Sequence, residues 1–143
     1  MKRAIAMALL ASTLLAGHAV AFADPPQGGK SNATDPGAAR SMDAPYLAVP
    51  VVRNGQLVNY LFVSIRIEIA PGVDLWRTRE KAQFVRDALV RAAHSNQLAD
   101  ANDPNLLDQA HAIAVFRATA QQVLGDQAVG RVSIISSYSS RSG

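Results

Sequence analysis

The chain of 143 residues contains no cysteine. That excludes disulfides, thiol catalysis and thiolate metal sites, so packing alone must hold the fold. Histidine is nearly as scarce: His18 lies in the apolar N-terminus, which leaves His94 and His111 for the rest of the chain. No G-x-S-x-G, H-E-x-x-H, Walker loop or dinucleotide fingerprint occurs. No internal repeat is visible either. These absences point away from an enzyme and away from a cofactor-binding protein.

What is present begins with an address. Met1-Lys2-Arg3 is cationic, Ala4 to Gly17 is an almost unbroken apolar run, and Ala21-Phe22-Ala23 gives the small-x-small pattern of signal peptidase sites. The run is shorter than the ~20 residues needed to span a bilayer. The pattern predicts a bacterial signal peptide over 1–23, cleaved between Ala23 and Asp24, and a periplasmic or secreted protein. Membrane association is expected only if this segment stays uncleaved as an anchor.

Cleavage leaves about 120 residues, enough for one domain. The formal charge of +3 includes Lys2 and Arg3, which leave with the signal and take it to about +1. The isoelectric point near 9.7 therefore overstates the basicity of the working protein. A nucleic-acid partner loses its electrostatic support.

Residues 24–45 hold Pro25, Pro26, Gly28, Gly29, Pro36 and Gly37 without apolar periodicity, and read as a disordered linker. A domain is expected over 46–138, with a frayed tail at 139–143. Tyr46 to Arg53 and Leu57 to Ala70 are β-rich runs flanking Asn54-Gly55, the sequence signature of a tight hairpin. In the second run Leu61, Val63, Ile65, Ile67 and Ile69 share one face by the period of two. The opposite face, Tyr60, Phe62, Ser64, Arg66 and Glu68, is apolar at its start and charged at its end. Pro50 places the first strand at a sheet edge or on a bulge.

Asp74 is placed to cap a helix reaching Ser95, with Leu75, Ala82, Val85, Leu89 and Ala92 at helical spacing. Asp103 and Pro104 suggest the start of a second helix bearing Leu106, Ala110, Ile113, Ala114, Ala120, Val123 and Leu124 and ending at Gly125. A final strand is expected from Arg131 to about Tyr138. The fold class is α+β: a small antiparallel sheet in the order β-hairpin, helix, helix, β, with two helices packed on it.

Candidate chemistry is sparse. Asp108 and His111 share a helical face, and His94 could approach them, but three ligands without supporting partners make a poor zinc site. Asp-Ala-Asn-Asp-Pro at 100–104 lacks the alternating oxygens and closing Glu of a calcium loop. No metal and no cofactor is expected. Arg77 to Arg91 is basic but interrupted by Glu80 and Asp87, and reads as a solvated helix face. Trp76 and Phe84, eight residues apart, are either core or a contact surface, with Arg77 and Lys81 between them.

Tyr60-Leu-Phe-Val-Ser-Ile-Arg-Ile-Glu-Ile69, a helix ending Arg86-Asp-Ala-Leu-Val-Arg-Ala-Ala-His-Ser95, Gln122-Val-Leu-Gly125 and Val129-Gly-Arg-Val-Ser-Ile-Ile135 follow one another in order. From Tyr46 onward this resembles the periplasmic domain of the FliL family of flagellar basal-body-associated proteins. The resemblance implies a stomatin/prohibitin-like fold, no catalysis, and oligomers around the motor stator. Such proteins keep a transmembrane helix, and their last strand is richer in aromatics than the one here. The expected function is a non-catalytic exported interaction domain that binds a protein partner or itself through the first strand's edge and Trp76, Phe84, Arg77 and Lys81. The alternative is a periplasmic small-ligand or lipid-binding protein with the apolar sheet face as pocket wall.

Overall fold

The computed structural model describes residues 40–141. The expected signal peptide, its expected cleavage residues Ala21, Ala23 and Asp24, and the expected linker up to residue 39 lie outside the described residues. The architecture is α+β, a three-stranded antiparallel sheet in the order β1-β2-β3 with helices on one face.

Alternation and the Asn-Gly turn build the hairpin. β1 (Ser41–Arg53) and β2 (Gln56–Ile69) pair antiparallel. Asn54 and Gly55 adopt φ of 51° and 76°, as a primed turn requires. Leu47, Val49 and Val51 of β1 and Leu61, Val63, Ile65 and Ile67 of β2 are fully buried. Pro50 lies on an edge strand, and β1 is also bulged, between Ala44 and Leu47. At that bulge Tyr46 has φ 54°, and its N–H donates to Ser64 Oγ at 3.2 Å.

β1 begins at Ser41, so residues 41–45 belong to the sheet and not to the linker. Long-range contacts hold this stretch where local propensity does not. The Arg40 guanidinium donates to the carbonyls of Ala70 (2.9 Å) and Val73 (3.0 Å), Asp43 pairs with Arg66, and Ala44 fills the core.

The first helical segment is two helices, α1 (Leu75–Glu80) and α2 (Ala82–Ser95), separated at Lys81, whose φ and ψ are −86° and 0°. Asp74 caps α1 as expected, accepting from the N–H groups of Trp76 and Arg77 at 2.9 and 3.2 Å. α2 buries Val85, Leu89 and Ala93, with Ala92 at the margin.

Asp103 and Pro104 do not start the next helix. α3 runs from Gln109 to Leu124, and Asp108 caps it by accepting from the His111 N–H at 3.0 Å. The Asp103 carboxylate instead accepts from the Asn105 N–H at 2.8 Å, a local turn that competes with helix. The Asp108 N–H donates to the Leu98 carbonyl and the Asp100 N–H to the Leu106 carbonyl around an Ala99–Leu107 bridge, which fixes the segment as a short ladder. Leu106 is consequently exposed. The buried stripe of α3 is Ala112, Phe116, Thr119 and Ala120, so Ala110 and Ala114, expected inside, face solvent.

After Gly125 (φ 99°), β3 (Val129–Ser139) pairs antiparallel with β2 on the side away from β1. α2 packs on β1, α3 on β3, and the two helices on each other. The expected frayed tail at 139–143 is not frayed at its start. Ser139 ends β3, and the Ser139 and Ser140 hydroxyls bond to the buried Asn59 at 2.8 Å each.

Candidate interaction surface

Residues that pack inward decide which ones face out. In α1, Thr78 is buried and its hydroxyl donates to the Asp74 carbonyl at 2.7 Å. Trp76, two positions earlier, is thereby turned away from the body and is 76 % exposed. In α2, the inward row Val85, Leu89, Ala93 leaves Phe84, Asp87 and Arg91 outside, with Phe84 68 % exposed. Trp76 and Phe84 are therefore surface residues and contribute little to the core.

Arg77 and Lys81 are exposed on the same segment and meet at a shallow cleft of about 160 Å³, which Val73, Asp74, Thr78 and Leu124 complete. Arg77 lies 3.8 Å from the Asp74 carboxylate, and Arg91 pairs with Asp87 at 2.7 Å across one helical turn. The Arg86 guanidinium reaches the Pro45 carbonyl at 2.9 Å, joining α2 to the β1 bulge. A second cleft of about 200 Å³ opens there between Met42–Pro45 and Ala82, Gln83, Val85 and Arg86. The break at Lys81 means that Trp76 and Phe84 stand on separate helices, so the angle between them is not that of one continuous helix.

The remaining polar groups act as scaffold. Asp108 caps α3, and His94 and His111 are both exposed. Among the described residues, no group of three His, Asp or Glu side chains is placed to hold a metal ion. Asp100 accepts from the N–H groups of Asn102 and Asp103, so its carboxylate shapes a turn. Asp43 accepts from Arg66 Nε and Nη2 at 2.8 and 2.9 Å. Those bonds, helped by the guanidinium charge and opposed by slight burial, hold the Asp43 carboxyl below the usual carboxylate range.

The cleft of about 410 Å³ is lined by Asp100, Asn105, Leu106, Leu107, Asp108 and Gln109, and Ser137 is its single sheet residue. The apolar sheet face thus does not wall it. Sequence reasoning did not single out Tyr46 or Tyr138. Tyr138 stacks on Phe62 on the sheet's helix-free face, with ring centroids 5.6 Å apart. The signal that bears on it is the apolar start of the outward row of β2.

No family model matches this chain, and no curated protein or solved structure matches it either.

Proposed function

We propose that this chain is an exported, non-catalytic interaction domain of FliL-like type that holds a protein partner through α1 and the start of α2. The observation that carries the reading is the exposure of Trp76 and Phe84 beside Arg77 and Lys81. Tryptophan and arginine are the residues most enriched at binding hot spots. Covering Trp76 and Phe84 would remove a few hundred Å² of apolar surface from water, worth about 5 kcal/mol before the costs of association. Arg77 and Lys81 favour acidic groups on the partner. The order hairpin, helices, strand, with α1 and α2 standing where the sequence predicts one helix, supports the FliL-like part of the reading, and the sequence from Met1 to Asp24 supports export.

The test is site-specific photo-crosslinking in cells from position 76, compared with position 117 on the exposed side of α3. A discrete adduct from position 76 alone, on a chain whose intact mass begins at Asp24, is the expected result. Trp76→Ala should shift the melting temperature by less than about 2 °C, because the ring is outside the core. Equal adducts from both positions, or a Trp76→Ala variant as unstable as a core truncation, would refute the reading.

A further inference from the structure

Among the described residues the sheet has helices on one face only, and its other face differs from an ordinary wet one. An antiparallel sheet open to water carries polar side chains on its solvent side. Here the half nearest the hairpin is apolar. Ala48, Pro50 and Val52 alternate with the buried Leu47, Val49 and Val51 of β1, and Tyr60 and Phe62 alternate with Leu61 and Val63 of β2. Tyr138 of β3 lies opposite Phe62 and stacks on it.

All three tyrosines of the chain gather on or beside this face. Tyr60 is 37 % and Tyr138 46 % exposed, and Tyr46 is 65 % exposed at the bulge, where its N–H meets the outward Ser64. Tyrosine supplies large, rigid, amphipathic contact area and is enriched in interface cores. The other half of the face carries Asp43 and Arg66, joined through two hydrogen bonds, and Glu68 two residues further along β2.

We propose that this face binds the same face of a second copy of the chain, giving a reversible homodimer. Its area fits that occupant. Three strands about 4.8 Å apart and some ten residues long present about 500 Å². Two copies would bury about 1,000 Å², the lower limit for a specific interface and the range of weak ones, with a dissociation constant of about 1–100 µM. The face is also self-complementary. A twofold axis parallel to the strands sets the aromatic end of one copy on that of its partner and keeps the charged ends together at the far end from it, as an isologous contact needs. The proposal rests on the interaction-domain reading but uses a surface on the opposite side of the sheet from α2.

The test is the mass of the purified full chain in solution, measured by light scattering from about 1 to about 500 µM, across the expected dissociation constant. Wild type should pass from monomer to dimer. Tyr60→Glu combined with Tyr138→Glu should weaken dimerisation at least about tenfold, since each copy then sets like charges on the dyad. Should the double change unfold the sheet, Tyr138→Ser alone, on the outermost strand, gives the same readout. Trp76→Ala should leave the dimer intact, which separates this surface from the partner site on α1.

A monomer at every concentration overturns the proposal. Hydroxyl-radical footprinting of that monomer then tells whether Tyr60 and Tyr138 are shielded by the chain's own residues 24–39 or stand open for a different partner. A dimer unchanged in the glutamate variant, or one lost in Trp76→Ala, overturns it as well.

Discussion

Replacing Asn59 by alanine should cost more than any other single polar truncation in the sheet. Asn59 is 5 % exposed at the point where β2, the 98–108 ladder and the end of β3 meet. Its Oδ1 accepts from the Tyr60 N–H and the Ser140 hydroxyl, each at 2.8 Å. Its Nδ2 lies 2.8 Å from Ser139 Oγ, 3.0 Å from the Pro104 carbonyl and 3.2 Å from Asn105 Oδ1. An amide has two N–H bonds, so about four hydrogen bonds operate at once. At about 1 kcal/mol each, less what Ser139 and Ser140 recover by turning to water, Asn59→Ala should lose about 2–4 kcal/mol. Ser140→Ala removes one of those bonds and should lose about 0.5–1.5 kcal/mol. Urea unfolding at constant m-value measures both. Hydrogen exchange should also accelerate in the 98–108 ladder and at 136–141 before it does in the β1–β2 hairpin. An Asn59→Ala loss below about 1 kcal/mol, or one equal to that of Ser140→Ala, would refute the assignment of Asn59 as the junction.

Two further changes probe the core and the outer face. Phe116, fully buried in α3, should lose about 3–5 kcal/mol on truncation to alanine, read by the same unfolding curves; a loss under about 2 kcal/mol would mean that the α2–α3–sheet junction closes over the gap. Asp43, held below its ordinary range by Arg66, contributes stability that is full above the unfolded carboxylate value of about 3.9 and is lost as pH falls through the lower folded value. Asp43→Asn should therefore cost about 0.5–1 kcal/mol at neutral pH, a figure kept small by the partial exposure of both side chains, and nothing once the wild-type carboxyl is protonated. A deficit that persists in acid would show that packing, not charge, carries the effect.

The parts of the fold legible in the sequence are those whose signal is local. Asn54-Gly55 specifies its own turn, and Leu61 to Ile69 specify their own inward face because a strand's period is fixed at two. Asp74 caps α1 because its side chain reaches N–H groups two and three residues on. Elements set by distant contacts were illegible. Ser41 to Pro45 has no strand propensity and joins β1 through Arg40, Arg66 and the core beyond it. Asp103-Pro104 has the grammar of a helix start, but the Ala99–Leu107 bridge uses the same backbone groups first. Phe116 was missed for a related reason. Once α3 starts at Gln109, its contact with α2 and β3 selects the row Ala112, Phe116, Thr119 and Ala120 from an alanine-rich helix of low polarity contrast.

The candidate surface was half legible, and the reason lies in how aromatic residues divide between core and surface. Spacing along a helix tells which residues share a side but not which side faces in; that depends on the neighbouring rows. Thr78 decides the matter in α1, because its hydroxyl is satisfied by the Asp74 carbonyl and it can be buried at little cost. In α2 the row Val85, Leu89, Ala93 is small enough to lie close against β1, whereas a row through Phe84, Asp87 and Arg91 would bury an ion pair. The core is thus complete without Trp76 or Phe84. Since neither ring is needed for packing, stability alone gives no reason for large aromatics at these positions, and their exposure is the ground on which the proposed partner surface stands.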